Sequence, residues 1–282
     1  MTDTTSAAAT VTDEGYFGPE SVSWILFSDP SSKLGGVAAI LMQALNPMMM
    51  RLFDQTSGYA TDMEGRAERT GRYIDTTIFG DRAHADAAGT SVRRMHAHAH
   101  WTDPKTGMEL RADNHDWLVW THNTVVWGVL RGADAFGPDL TIDQQDTFIQ
   151  EQHKAAELVG IDPSILSSTR AELDSYMDEQ KSWMALTLPA AELAKGLRKP
   201  NLKGNPVKVW AGIIVQDGIL FMLPDWARQL YGIEGRPLNL GSAARLTRRF
   251  IAGARKKSSR AELISEITER VSTHPYRKVR QR

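Results

Sequence analysis

The stretch HDWLVWTHNTVVWGVLR, His115–Arg131, decides the fold class. Leu118, His122, Val125 and Val129 recur at three- and four-residue spacing, so they share one face of a helix. The same period runs outward in both directions, and no segment alternates polar with apolar as a half-buried strand does. The spacing therefore predicts an all-α protein with no sizeable sheet.

Upstream, helices are expected from Pro19 to near Pro30, then from a cap at Ser31 or Ser32 to Pro47, and again through MMMRLFDQTS. SGYATD reads as a turn, and Asp62 as the cap of a helix over 62–79. Gly80-Asp81 ends that helix, and the next is expected over 82–100, with TDPKTGMELRADN as a hairpin-like loop after it. Downstream, Thr141 caps 142–159, and Ser168 or Thr169 with Glu172 forms a capping box for 170–184. Helices at 189–198, 206–222, 224–231, 240–254 and 259–272 complete the reading.

The loops are short, there is no internal repeat, and no Pro/Gly/Ser linker marks a boundary. One multi-helix globular domain over 16–272 is expected. Residues 1–15 read as a disordered N-terminal tail and 273–282 as a basic C-terminal tail, a solvated one.

Composition narrows the chemistry. The 282 residues are 41% hydrophobic and carry a net charge of −1, so no global basic field attracts nucleic acid. There are no cysteines, which excludes disulfides, thiolate metal sites and thiolate-ligated haem. The most apolar run, Trp210–Leu223, is broken by Gln216 and Asp217, so no membrane span is expected. The N-terminus lacks the basic region and apolar core of a signal peptide, and a cytoplasmic location is the expectation.

Two features bear on function. On helix 62–79, Arg66, Thr70, Tyr73 and Thr77 fall on one stripe with Arg69 beside it. Such a stripe is either a surface row whose Arg66 pairs with an acid, or a cationic donor and a hydroxyl lining a polar pocket. The second feature is VRRMHAHAH, where a helix puts His96 and His100 on one face and His98 elsewhere. A non-haem metal site could draw on His96, His100 and His122. However, Ala97 stands where a zinc protease places Glu, and no Glu-x-x-His pair supports a di-metal bundle. His96 adjoins the Ala88/Val92/Ala99 face and is the inward candidate. His122, on an apolar face, is either a satisfied core histidine or a ligand. The 11 methionines and 8 tryptophans suit a wide apolar cavity or plain core packing.

Six segments in order, YFGPESVSW…LFSDP, GGVAAILMQALNP, GRAERTGRYIDTTIFG, VRRMHAHAH, LVWTHNTVVWG and LPDWARQLYG, resemble the MpaB/rubber oxygenase (latex clearing protein) catalytic-domain family. The likeness runs from about Tyr16 to about Ala252. It implies a globin-like helical core holding haem b, with dioxygen or peroxide acting on a small apolar organic substrate. The family's Arg-x-x-Lys-Thr pattern reads here as Arg66-Ala67-Glu68-Arg69-Thr70, with Arg69 in place of Lys. Its VR-x-x-H motif makes His96 the implied iron ligand, with Arg66 and Thr70 on the distal side and His122 the second choice of ligand. The family's upstream glutamate has no counterpart in NPMMMRLFDQTSGY, and Asn46 precedes Pro47 where many relatives have His. A non-catalytic carrier of haem or of a lipophile, and a helical protein that has lost the cofactor, remain the alternative readings.

Overall fold

The computed structural model describes residues 15–56, 63–195, 203–233, 237–257 and 259–272. The proposed turn at 57–62, the Asp62 cap, the end of helix 189–198 and, apart from Gly15, both tails lie outside these residues. Among the described residues there are thirteen α-helices and one two-stranded sheet. In chain order they are α1 (Val22–Phe27), α2 (Ser31–Ala44), α3 (Pro47–Thr56), α4 (Met63–Phe79), α5 (Arg82–His98), β1 (His100–Thr102) and β2 (Glu109–Arg111). Then follow α6 (His115–Phe136), α7 (Ile142–Leu158), α8 (Arg170–Glu179), α9 (Leu188–Leu193), α10 (Pro206–Met222), α11 (Asp225–Tyr231), α12 (Pro237–Lys257) and α13 (Arg260–Ser272).

The caps explain most boundaries. Thr141 with Gln144 and Thr169 with Glu172 form reciprocal capping boxes on α7 and α8. Asn205 caps α10 ahead of Pro206, and Gly232, with φ of 70°, closes α11 in the left-handed conformation. Two expectations are corrected. Neither Ser31 nor Ser32 caps α2. Asp29 does that work, accepting from the Ser31 backbone N–H at 2.9 Å. And α5 stops at His98, because Ala99 turns into extended backbone and the chain enters β1.

The centre of the molecule is the crossing of α2 and α6. A Cβ on Gly35 would run into the Gly128 carbonyl, one on Gly128 into the Gly35 carbonyl, and one on Gly132 would sit 2.6 Å from the Ser31 carbonyl oxygen. The absent side chains let the two backbones touch. Around that contact Leu26, Met42, Leu45, Trp120, Leu130, Phe136, Phe148, Leu173, Leu220, Met222 and Tyr231 are fully buried. Most methionines and tryptophans here pack as ordinary core, while Trp183, Trp210, Met95 and Met108 are exposed.

Polar clamps fix the periphery. Arg255 on α12 forks onto Asp29 (2.5 and 2.9 Å) and also donates to the Phe136 carbonyl at the end of α6. Burial would raise the Asp29 pKa, but the bonds from Arg255 and Ser31 outweigh it and hold the carboxyl below its usual value. Glu151 on α7 accepts from the backbone N–H groups of Val22 and Ser23, satisfying the first turn of α1. Ile264 and Ile267 of α13 cover Ile78 and Phe79 of α4.

Among the described residues no single helix is long and apolar enough to cross a membrane; α2 and α3 reach that length only together, across a 98° bend.

Candidate functional site

Helices α4 and α5 pack together about the Gly80–Asp81 connection. The Arg66–Thr70 motif lies in the N-terminal half of α4 and His96 in the last turn of α5, so both sit at the ends remote from that connection. The side chain of Arg66 lies outside the described residues. Arg69 and Thr70 are exposed, Tyr73 is half-buried and Thr77 is buried. The stripe therefore passes from solvent to core along its length. Glu68 pairs with Arg72 at 3.5 Å, one turn on.

The histidines of VRRMHAHAH part company. His98 is exposed and its Nδ1 meets the Arg94 carbonyl at 2.6 Å. His100 belongs to β1, opposite Arg111, with its Nδ1 3.8 Å from Glu109. The helical pairing of His96 with His100 expected from the spacing is lost because α5 ends between them. His96 is half-buried, and its Nδ1 is sealed from solvent without a hydrogen-bond partner. Burial holds its pKa below the usual histidine value, while the nearby Asp113 carboxylate pulls the other way.

His122 is half-buried on α6. Its pKa is lowered to about 4, first by burial and then by its neighbour His153. His153 is itself tied to the Ser167 carbonyl at 2.8 Å. Among the described residues no three His, Asp or Glu side chains converge as a metal-binding group, so His96, His100 and His122 are not brought together.

One buried imidazole went unnoticed in the sequence. His84 is 7% exposed, and Asp81 accepts both its backbone N–H (2.8 Å) and its Nδ1 (2.7 Å). An ionised carboxylate only accepts, so Nδ1 carries the proton, and Nε2 is left buried without a partner. The signal was present: Asp81 caps the helix and His84 follows at i+3. Asp113 carried no such signal, since only the β1–β2 hairpin returns it to the end of α5.

A haem ligand must be a neutral imidazole with a nitrogen free of protein partners. Burial disfavours the charged ring of His96 and its Nδ1 has no protein partner, so this side chain is chemically suited to that role.

The fold and these side chains define an all-α protein with two buried imidazole nitrogens, His84 Nε2 and His96 Nδ1, that have no hydrogen-bond partner. Residues 24–256 match the model of the ER-bound oxygenase mpaB/B'/Rubber oxygenase catalytic domain, and the chain belongs to that oxygenase family. No curated protein and no solved structure matches it.

Proposed function

We propose that the protein is a haem b-dependent oxygenase acting with dioxygen or peroxide on a small apolar organic substrate. The observation that carries this reading is His96, a half-buried imidazole with a sealed, partnerless Nδ1, on the helix packed against the one bearing the Arg66–Thr70 motif. Membership of an oxygenase family supports it.

His96 would hold the cofactor, since burial disfavours the charged ring and so favours a free lone pair. A bound haem supplies the redox chemistry with the oxidant. Arg66 and Thr70 would act on the oxidant and substrate, the guanidinium as a donor to anionic oxygen and the hydroxyl as a group that orients substrate or water. Arg69 adds a second cation beside them. His122 is the other candidate ligand, and its depressed pKa gives it a lone pair over a still wider pH range.

An absorption spectrum of the protein reconstituted with haem tests the assignment. A Soret band lost in His96→Ala and kept in His122→Ala is expected. The reverse pattern transfers the ligand role to His122, and no band in the wild type ends the haem reading. Substrate-dependent oxygen uptake then separates an oxygenase from a carrier.

A further inference from the structure

A net charge of −1 conceals a segregation of charge along the chain. From Leu193 to Gln216 there are five Arg and Lys and no Asp or Glu, and from Gly235 to Ala261 eight and none. These two segments supply α10 and α12, which pack side by side. Thr247 of α12 donates to the Ile214 carbonyl of α10 at 3.1 Å, and Leu240, Ala243 and Ala244 are buried on the same side of α12 as Thr247. Two of the arginines serve the fold. Arg248 donates to the Asp134 and Ala135 carbonyls, and Arg255 holds Asp29.

The opposite face of α12 is different. Arg245, Arg249, Lys256 and Lys257 are exposed there, and among the described residues none of the four pairs with a carboxylate. Arg245 reaches only Ser242 of its own helix, at 3.1 Å. Phe250 stands among them, 41% exposed. Helix α10 is apolar almost all round, the pattern of a helix that is normally covered. Yet its Val207 and Trp210 are 75% and 59% exposed, with the exposed Lys208 between them. Trp210 is one turn before Ile214 and Phe250 one turn after Thr247, so both aromatics lie within about a turn of the same helix–helix contact. Unpaired like charges repel one another and exposed aromatics cost hydration, so the fold gains from neither. A partner with negative charge at its surface and an apolar layer beneath it satisfies both.

We propose that the outer face of α12 and the start of α10 form a docking surface for an anionic lipid bilayer. The cations meet headgroup phosphates and carboxylates, while Phe250, Trp210 and Val207 enter the boundary between headgroups and acyl chains. Both helices lie on the surface, and no span is involved. Nucleic acid is the other polyanion, but it offers Val207 no apolar layer. Docking of this kind does not depend on haem.

Sedimentation of the full chain with vesicles is the test. Vesicles of equal parts phosphatidylcholine and phosphatidylserine are expected to carry the protein down at low salt, and vesicles of phosphatidylcholine alone to leave most of it in solution. Added salt should weaken the binding. Each cation near an anionic surface is worth about fivefold in partitioning, so Arg249→Gln/Lys256→Gln/Lys257→Gln is expected to lose about a hundredfold. Trp210→Ser/Phe250→Ser is expected to lose at least about tenfold, with the salt dependence unchanged. All these side chains are exposed, so both variants should keep the wild-type Tm. Lys33→Gln/Lys105→Gln/Lys181→Gln removes the same charge outside both helices and is expected to bind as the wild type does. No binding to the mixed vesicles leaves a merely solvated face and overturns the proposal, as does an equal loss in the Lys33 set. Binding unchanged in Trp210→Ser/Phe250→Ser overturns it too, because ionic adsorption alone needs no aromatic. A DNA duplex bound more tightly than the mixed vesicles, and released by the Arg249 set, overturns it in favour of nucleic acid.

Discussion

At His122 on α6 burial, with His153 of α7 nearby, disfavours the charged ring, and that has a thermodynamic signature. The unfolded chain takes up a proton at this residue near pH 6.5, whereas the folded protein does so only at about 4. The unfolded state therefore binds more protons between those values. The stability contributed by the neutral ring is complete above pH 6.5 and is lost as pH falls toward 4. The difference is worth roughly 3 kcal/mol across the window. His122→Gln is expected to flatten the acid limb of the stability profile, read by urea unfolding at pH 5, 6, 7 and 8. An identical slope in the variant would show that His122 is not held neutral.

At the scale of elements, the α2–α6 crossing depends on what is missing from it. Glycine inside a helix costs about 1 kcal/mol relative to alanine, so Gly35, Gly128 and Gly132 weaken their own helices. The packing reverses that preference, since a methyl at either Gly35 or Gly128 would strike the opposing backbone. Backbone cannot rotate away as a side chain can. Gly128→Ala is expected to destabilise by about 3 kcal/mol, within the range for overpacked cores. Gly36→Ala, with open space around its Cβ, is the control and should be neutral or stabilising. Chemical denaturation of both variants decides it, and equal midpoints would refute the close crossing.

At the scale of the whole molecule, α13 lies beyond residue 256, where the family match ends, yet it closes the outer face of α4. Ile264, Ile267 and Val271 cover Ile78, Phe79 and the bend at Gly80. Burial of Val271 and partial burial of the two isoleucines are together worth about 3 kcal/mol. Truncation after Lys257 is expected to lower the Tm by several degrees and to loosen the α4–α5 pair that carries the proposed site. Calorimetry of the truncated chain, with haem uptake measured alongside, checks both. An unchanged Tm would make α13 a bystander.

How much the sequence disclosed follows from the range of the forces involved. Helices α6, α7, α8 and α10 were legible because periodicity and caps act over three or four residues. Asp29 displaced Ser31 as a cap, and α5 stopped short of His100, because those outcomes also depend on Arg255 from α12 and on the returning strand β2. The sequence by itself determined an all-α chain and the family's motifs. Only the tertiary structure decided that His100 leaves the helix that carries His96, and that the hairpin returns the chain beside Asp113 to the end of α5. Those outcomes turn on contacts across a hairpin, where burial and hydrogen bonding act between residues whose closeness no local pattern encodes.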